Sequence, residues 1–237
     1  MIPDILITSI PQRHKYLKLT IKCLSDYKGK IVIVIPDHKY FQFLKKIRNK
    51  NIKIVFSKKK YRVEKVWEGL KYINSKSVLQ MADDDLYDLQ YIYEAGKILE
   101  KNSKIVAVDC FYLAFDHNIK KYVNDLDALK YKQVRKKKFK ISGKNYYERI
   151  KFVSDNLIYN KRFHSSVIRS SLFNRFIYLA IKYQKNIHTH FTDQLFFLYF
   201  LMEGEIYTIN KLGSVYSVNQ SARKGYYFHK NLKKYEF

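Results

Sequence analysis

Through the first 115 residues, short β-branched runs alternate with apolar stripes at helical spacing, and this alternation constrains the fold more than any other feature of the chain. The runs are Asp4 to Ile10, Ile31 to Ile35, Ile52 to Phe56, Val78 to Ala82 and Lys104 to Phe111. Between them lie Leu17, Thr20, Ile21 and Leu24, then Phe41, Leu44 and Ile47, then Val63, Val66, Trp67, Leu70 and Ile73, then Leu89, Ile92, Tyr93, Gly96 and Leu99. Each set falls on one side of a helix, and Asp88 stands where the last helix needs an N-cap. The run IVIVI is apolar throughout rather than at alternate positions, so it suits a strand buried on both faces, as in a parallel sheet. Strand and helix in strict turn predict an α/β fold, with an open, mostly parallel twisted sheet and helices on both faces. Ligands on such sheets bind beyond the carboxyl ends of the strands.

Beyond about residue 115 the pattern weakens. Residues 116–150, with the basic run Arg135 to Lys138, read as a surface excursion or a hairpin. Leu172, Phe173, Phe176, Ile177 and Ala180 restore a helix, the apolar run 195–202 reads as a buried helix, and Ile206 to Ile209 reads as a strand. Hydrophobic residues make up 47% of the chain, which favours a packed core over disorder, and seven Gly and three Pro leave little material for linkers. One domain in two halves is expected, 1–115 and a smaller 116–237 that ends in the basic, aromatic tail 221–237.

Two cysteines cannot build a disulfide framework, and Cys23 and Cys110 are both expected as small buried hydrophobes in a reducing compartment. No secretory leader is legible at Met1 to Asp4, and the longest apolar run, 195–202, is far short of the roughly 20 residues a membrane span needs. The expectation is a cytoplasmic protein, with a peripheral place at the inner face of the cell membrane left open. The net charge of +25 favours polyanionic partners such as nucleic acid, anionic lipid or nucleotide diphosphates, although a generally Lys-rich composition accounts for it equally well.

The strand ends carry the chemistry. Asp83, Asp84 and Asp85 follow directly on the fourth strand run. Adjacent carboxylates repel one another and are tolerated when solvated in a turn or neutralised by a cation. Mg²⁺ and Mn²⁺ take such oxygen ligands and bridge to phosphates. Asp37 ends the second strand, either as a turn residue after Pro36 or as an acceptor for a nucleobase. Pro11 and Arg13 follow the first strand, and Arg13 suits a diphosphate; Arg62 and Lys65, opening the Trp67 helix, are further phosphate candidates.

The opening strand with TSIPQR, the second strand ending in Asp37 and the fourth ending in MADDDL together resemble the GT-A glycosyltransferases, which use nucleotide-sugar donors. The resemblance covers about residues 4–115, and DDD looks like that family's D-x-D motif. It implies a GT-A fold with a nucleotide-sugar-binding first half and an acceptor-binding second half. It also implies that Asp83 and Asp84 contact the donor, that Asp83 and Asp85 ligate Mn²⁺ or Mg²⁺, and that Asp37 reads the base. A carboxylate on the acceptor side would serve as catalytic base, and Asp193 in HTHFTDQLFF is the candidate, although Thr192 stands where an acid is commonly found. Of the histidines beside it, His190 is the candidate third metal ligand, and His188 with His164 are candidate acceptor contacts. The activity so implied is transfer of one sugar, with inversion, to a glycan or lipid-linked acceptor in bacterial surface polysaccharide synthesis.

The chain has no G-x-G-x-x-G and no G-x-x-x-x-G-K, so dehydrogenase and P-loop readings lose their main support. Trp67 is the single Trp, so the Q-x-x-R-W motif of processive synthases is missing. The competing reading is a metal-dependent nuclease or nucleotidyltransferase acting on nucleic acid, which the charge favours and the dispersal of the basic runs disfavours.

Overall fold

In the computed structural model, residues 1–59, 61–116, 130–133, 140–156, 166–183 and 189–217 are described, without the side chains of 113–116, 130–133, 189–194, 216 and 217. The alternation of the first half is realised element by element. Strand β1 (Asp4–Thr8) leads through a 3-10 turn (Pro11–Arg13) into helix α1 (His14–Cys23). Strand β2 (Ile31–Ile35) is followed by a 3-10 stretch (Lys39–Lys46), and β3 (Ile52–Phe56) by α2 (Arg62–Leu70). Next come β4 (Ser77–Ala82), the two-residue β5 (Leu86–Tyr87) and α3 (Leu89–Lys101). The expected N-cap is present, because the Asp88 carboxylate accepts from the Gln90 N–H at 3.0 Å.

The second half adds β6 (Ile105–Asp116), β7 (Lys130–Gln133), β8 (Lys140–Ile141), α4 (Tyr146–Asp155), β9 (Val167–Arg169), α5 (Ser170–Tyr183), α6 (Thr189–Glu203) and β10 (Glu205–Ser217). One sheet joins the two halves, in the order β3-β2-β1-β4-β9-β6-β10-β5. The first four strands are parallel, and β6 pairs β10 in parallel. Strand β9 lies antiparallel between β4 and β6, so the sheet is mixed at its centre. Part of the segment read as an excursion or hairpin is β7, which pairs antiparallel with β6.

Successive side chains on the central strands go to opposite cores, as the pleat dictates. Ile5, Ile7, Ile31, Ile33 and Ile35 pack with α1 and α3 through Leu17, Leu24, Ile92 and Leu99. Leu6, Val32 and Val34 pack with α2, α5 and α6 through Val66, Phe173 and Phe200. Each such side chain contributes about 1.5–3 kcal/mol by leaving water, which explains why every residue of IVIVI is apolar.

The helices of the second half differ from expectation in two respects: α4 stands partly where an excursion or hairpin was expected, and α6 is not buried all round. Only one side of α6 is buried: Phe196, Phe197, Phe200 and Leu201 enter the core, while Leu195, Leu198 and Met202 are 40%, 46% and 59% exposed. Its far end is held by the buried Arg149 of α4, whose Nε and Nη2 donate to the carbonyls of Leu201 and Met202 at 2.6 and 2.8 Å. Arg169 of β9 does the same for α3, donating to Leu99 and Asn102 carbonyls at 2.8 and 2.7 Å. Cys110 is buried as expected, but Cys23 is exposed on the outer side of α1.

Candidate active site

The four parallel strands deliver their carboxyl ends to one edge. Beyond β1 come Ser9 and the Pro11–Arg13 turn, beyond β2 the exposed Asp37, beyond β3 the buried Ser57 and the start of α2, and beyond β4 the acid triplet. Because β1 lies between β2 and β4, its trailing residues reach the triplet directly.

Asp83 is the most closely held. Ser9 Oγ donates to its Oδ2, and Thr20 Oγ1 of α1 donates to its backbone carbonyl at 3.0 Å. Arg13 Nη2 lies 2.9 Å from Asp83 Oδ1 and in closer contact with Asp84 Oδ1. The buried Arg13 Nε has no hydrogen-bond partner among the described residues. On the other side, the Asp88 N–H donates to the Gly213 carbonyl at 2.9 Å, and β5 pairs with Ser214 and Val215 of β10. The triplet is therefore clamped between β1, α1 and β10.

Asp83 and Asp85 are buried, and Asp84 keeps partial exposure. Burial pushes the Asp83 carboxyl up to about 6; the neighbouring Asp84 adds to the rise, while Arg13, Ser9 and Arg62 oppose it. For Arg13, burial acts to lower the guanidinium, but Asp83, Asp84 and Asp85 outweigh it and its pKa is raised. Arg62 is exposed at the first position of α2, close enough to act on Asp83. One turn on, Lys65 is buried and its pKa lowered by that burial, with Glu68 opposing. The edge thus gathers Arg13 and Arg62 at the triplet, while Lys65 lies one turn further along α2 and interacts with Glu68.

Between the ends of β1 and β2 lies a small aromatic shelf. The His14 and Tyr40 rings stack with centroids 4.7 Å apart, and His38 tilts against the same Tyr40 at 4.7 Å. His14 Nδ1 is 2.9 Å from the Pro11 carbonyl, so that nitrogen carries the proton. Asp37 immediately precedes His38 at this shelf.

His164 and His188 lie outside the described residues, as do the basic run Arg135 to Lys138 and the tail 221–237. Asp193 and His190 fall in the first two turns of α6, where the backbone but not their side chains is described. Helix α6 packs against β6 and β10 and passes into β10 through Gly204. A Cβ at Gly204 would come within 2.6 Å of the Lys104 carbonyl, so that tight passage requires glycine.

The sequence reading missed Ser9, Thr20 and the His14–Tyr40–His38 shelf. Ser9 closes an apolar strand run with a hydroxyl, which is a usable signal. Thr20 was concealed by its place in an apolar stripe.

Among the described residues, no three His, Cys, Asp or Glu side chains group as a metal site. Both Asp83 side-chain oxygens are engaged by Ser9 and Arg13. Divalent cations such as Mg²⁺ usually take one or two carboxylates plus substrate phosphates. The described residues therefore suit a cation shared with substrate phosphates better than a cage built from protein alone.

No protein-family model matches the sequence, and no curated protein matches it. Solved structures do match. S. aureus TarS 1–349 superposes with a TM-score of 0.64 at 14% identity, over 92% of this chain and 60% of TarS 1–349. The fold is GT-A. The same TarS fragment in complex with UDP-GlcNAc gives a TM-score of 0.61 at 14% identity, over 92% of this chain and 58% of that one. A 4-diphosphocytidyl-2C-methyl-D-erythritol synthase from Anaerococcus prevotii matches with a TM-score of 0.54 at 17% identity, over 90% of this chain and 87% of that one. The chain thus spans about three fifths of TarS 1–349 and shares its fold at 14% sequence identity.

Proposed function

We infer that the chain is a glycosyltransferase that moves one sugar from a nucleotide-diphospho-sugar to a hydroxyl of a glycan or lipid-linked acceptor. The observation that carries this reading is the meeting of Arg13 with Asp83 and Asp84 at the carboxyl edge of a GT-A sheet. The likeness to TarS, solved with UDP-GlcNAc and with UDP, supports a nucleotide-sugar donor.

In this reading the base of the donor rests on the Tyr40 and His14 shelf beside Pro11, and Asp37 accepts from its ring N–H. Asp83 and Asp84 face the ribose, while Arg13, Arg62 and Lys65 meet the diphosphate. Asp85 holds Mn²⁺ or Mg²⁺, with His190 as a further candidate ligand; the cation supplies Lewis-acid stabilisation of the charge that develops on the departing diphosphate.

Asp193 takes the proton from the acceptor hydroxyl as that oxygen bonds to the anomeric carbon and the carbon–oxygen bond to phosphate breaks. A single displacement of this kind inverts the anomeric centre. A helix that packs on the sheet and turns straight into the start of β10 begins toward the carboxyl edge, and this favours Asp193, on its second turn, as the base. His164 and His188 are proposed as acceptor contacts. The net charge of +25 and the tail 221–237 favour an anionic membrane surface as the meeting place with a lipid-linked acceptor; among the described residues no helix is long and apolar enough to cross a membrane. A role in bacterial surface polysaccharide synthesis is part of the proposal.

The match to a diphosphocytidyl synthase keeps nucleotidyl transfer as the second reading. The two differ in leaving group. Incubation with a panel of nucleotide sugars and nucleoside triphosphates is expected to release nucleoside diphosphate from a nucleotide sugar. Asp193→Asn should cut that release roughly 10²–10⁴-fold, as loss of a general base does, with nucleotide affinity intact. Pyrophosphate release from a triphosphate, without diphosphate release from any sugar nucleotide, would establish the second reading instead.

A further inference from the structure

The geometry points to Arg13 as a tethered counter-cation that occupies the acid triplet until a diphosphate draws it away, so that a divalent cation binds only together with the nucleotide. The inference rests on the proposed donor site and concerns the order in which its parts assemble.

The argument starts from charge. Three consecutive carboxylates, two of them buried, repel one another in a medium of low dielectric. An anionic cluster of this kind ordinarily attracts a metal ion without help. Here the cluster already holds a cation: the Arg13 guanidinium sits 2.9 Å from Asp83 Oδ1 and in contact with Asp84 Oδ1. Ser9 takes the other Asp83 oxygen. A metal arriving alone would have to displace the guanidinium, leaving a half-buried positive charge without its partners. It would also find no cage, because no three metal-binding side chains group among the described residues.

A diphosphate changes both terms. Its oxygens offer the guanidinium a bidentate partner, and they complete the shell of a cation held at the triplet. The buried Arg13 Nε, without a hydrogen-bond partner among the described residues, is a donor that the ligand-free arrangement leaves unused. Thr20 and Ser9 fix the main chain and one oxygen of Asp83, so the element that moves is the Arg13 side chain. Nucleotide and cation then raise each other's affinity by the same factor.

The test counts bound Mn²⁺ from the loss of the electron paramagnetic resonance signal of the hydrated ion, and it needs no turnover. Wild-type protein is titrated with Mn²⁺ alone and with Mn²⁺ in the presence of UDP, GDP or CDP. Arg13→Gln and Arg13→Lys are titrated with Mn²⁺ alone. Wild type and Arg13→Lys should bind Mn²⁺ alone roughly tenfold or more weakly than Arg13→Gln, and a nucleoside diphosphate should tighten Mn²⁺ binding to wild type by a similar factor. Equal Mn²⁺ affinity in wild type and Arg13→Gln, with both folded by circular dichroism, overturns the inference. Should Arg13→Gln not fold, the wild-type comparison decides: Mn²⁺ affinity unchanged by every nucleotide that binds overturns it. Failure of all three nucleotides to bind, with or without Mn²⁺, instead removes the donor-site reading, which is a separate outcome.

Discussion

Arg13 Nη2 lies 2.9 Å from Asp83 Oδ1, across the boundary between the first and fourth strands of the sheet. This contact joins two sequence segments that have meaning only together. An arginine after a strand is commonplace, and so is a run of acids in a turn. Parallel pairing of β1 with β4 puts both at one edge and brings them into contact.

Burial of the same carboxylate, against the opposing pull of Arg13, sets a pH dependence. Burial raises the folded-state pKa of Asp83 to about 6, above the ordinary carboxylate value of about 3.9. A raised folded pKa contributes stability that is fully present below about pH 4 and is lost as pH rises through about 6. Asp83→Asn removes this contribution. In metal-free and nucleotide-free protein, the stability of the variant relative to wild type should therefore rise between pH 4 and pH 7, by at most about 3 kcal/mol. Thermal unfolding across that range measures it, and parallel profiles for the two proteins would contradict the raised pKa.

Thr20→Val keeps the volume and removes the hydroxyl that donates to the Asp83 carbonyl at 3.0 Å. A buried acceptor that loses its donor costs about 1–3 kcal/mol. Urea unfolding should show a loss of that size, with weaker nucleotide binding because the triplet is less well fixed. A change within about 0.5 kcal/mol, the usual range for unimportant surface positions, would show that the bond contributes little.

Arg149→Leu deletes the guanidinium that donates to Leu201, Met202 and Gly143. Hydrogen bonds to charged groups are worth about 1.5–3 kcal/mol each and are not additive, so a loss on the order of 3 kcal/mol is expected. Amide hydrogen exchange should accelerate first in the last turn of α6 and in α4. Unchanged exchange in both would mean that apolar packing alone holds the two helices.

Tyr40→Ala removes the central ring of the shelf. Ring contacts of this type contribute about 0.5–1.5 kcal/mol beyond area burial, so nucleoside diphosphate affinity should fall roughly fivefold, with the Mn²⁺ affinity of the nucleotide-saturated protein unaltered. Equal affinity in calorimetry would remove the shelf from the site.

Much of the first half was legible because its strands are buried on both faces. Ile31 to Ile35 had to be apolar at every position, since alternate residues enter different cores. Strand β9 escaped notice because three residues, Val167–Arg169, carry no periodicity, and their strand form comes from β4 and β6 on either side. Helix α4 was missed because Tyr147 and Ile150 are exposed and its buried face is Arg149 and Val153 with Phe152 beside them, too short an apolar stripe to read. Periodicity also misplaced Cys23, which follows a helical stripe yet faces solvent. At the candidate site, charge and position singled out Arg13 and Asp83, which the structure brings together, whereas Ser9 and Thr20 act through single hydrogen bonds that no spacing encodes.

The most direct measurement is calorimetric titration of UDP, GDP and CDP into wild-type protein and Asp85→Ala, each in Mn²⁺ and in chelator. At least one nucleotide should bind wild type in Mn²⁺, and Asp85→Ala should weaken that binding by roughly tenfold or more, about 1.4 kcal/mol. No binding of any of the three in Mn²⁺, or the same affinity in Asp85→Ala as in wild type, would contradict the assignment of the acid triplet as a metal and nucleotide-sugar site.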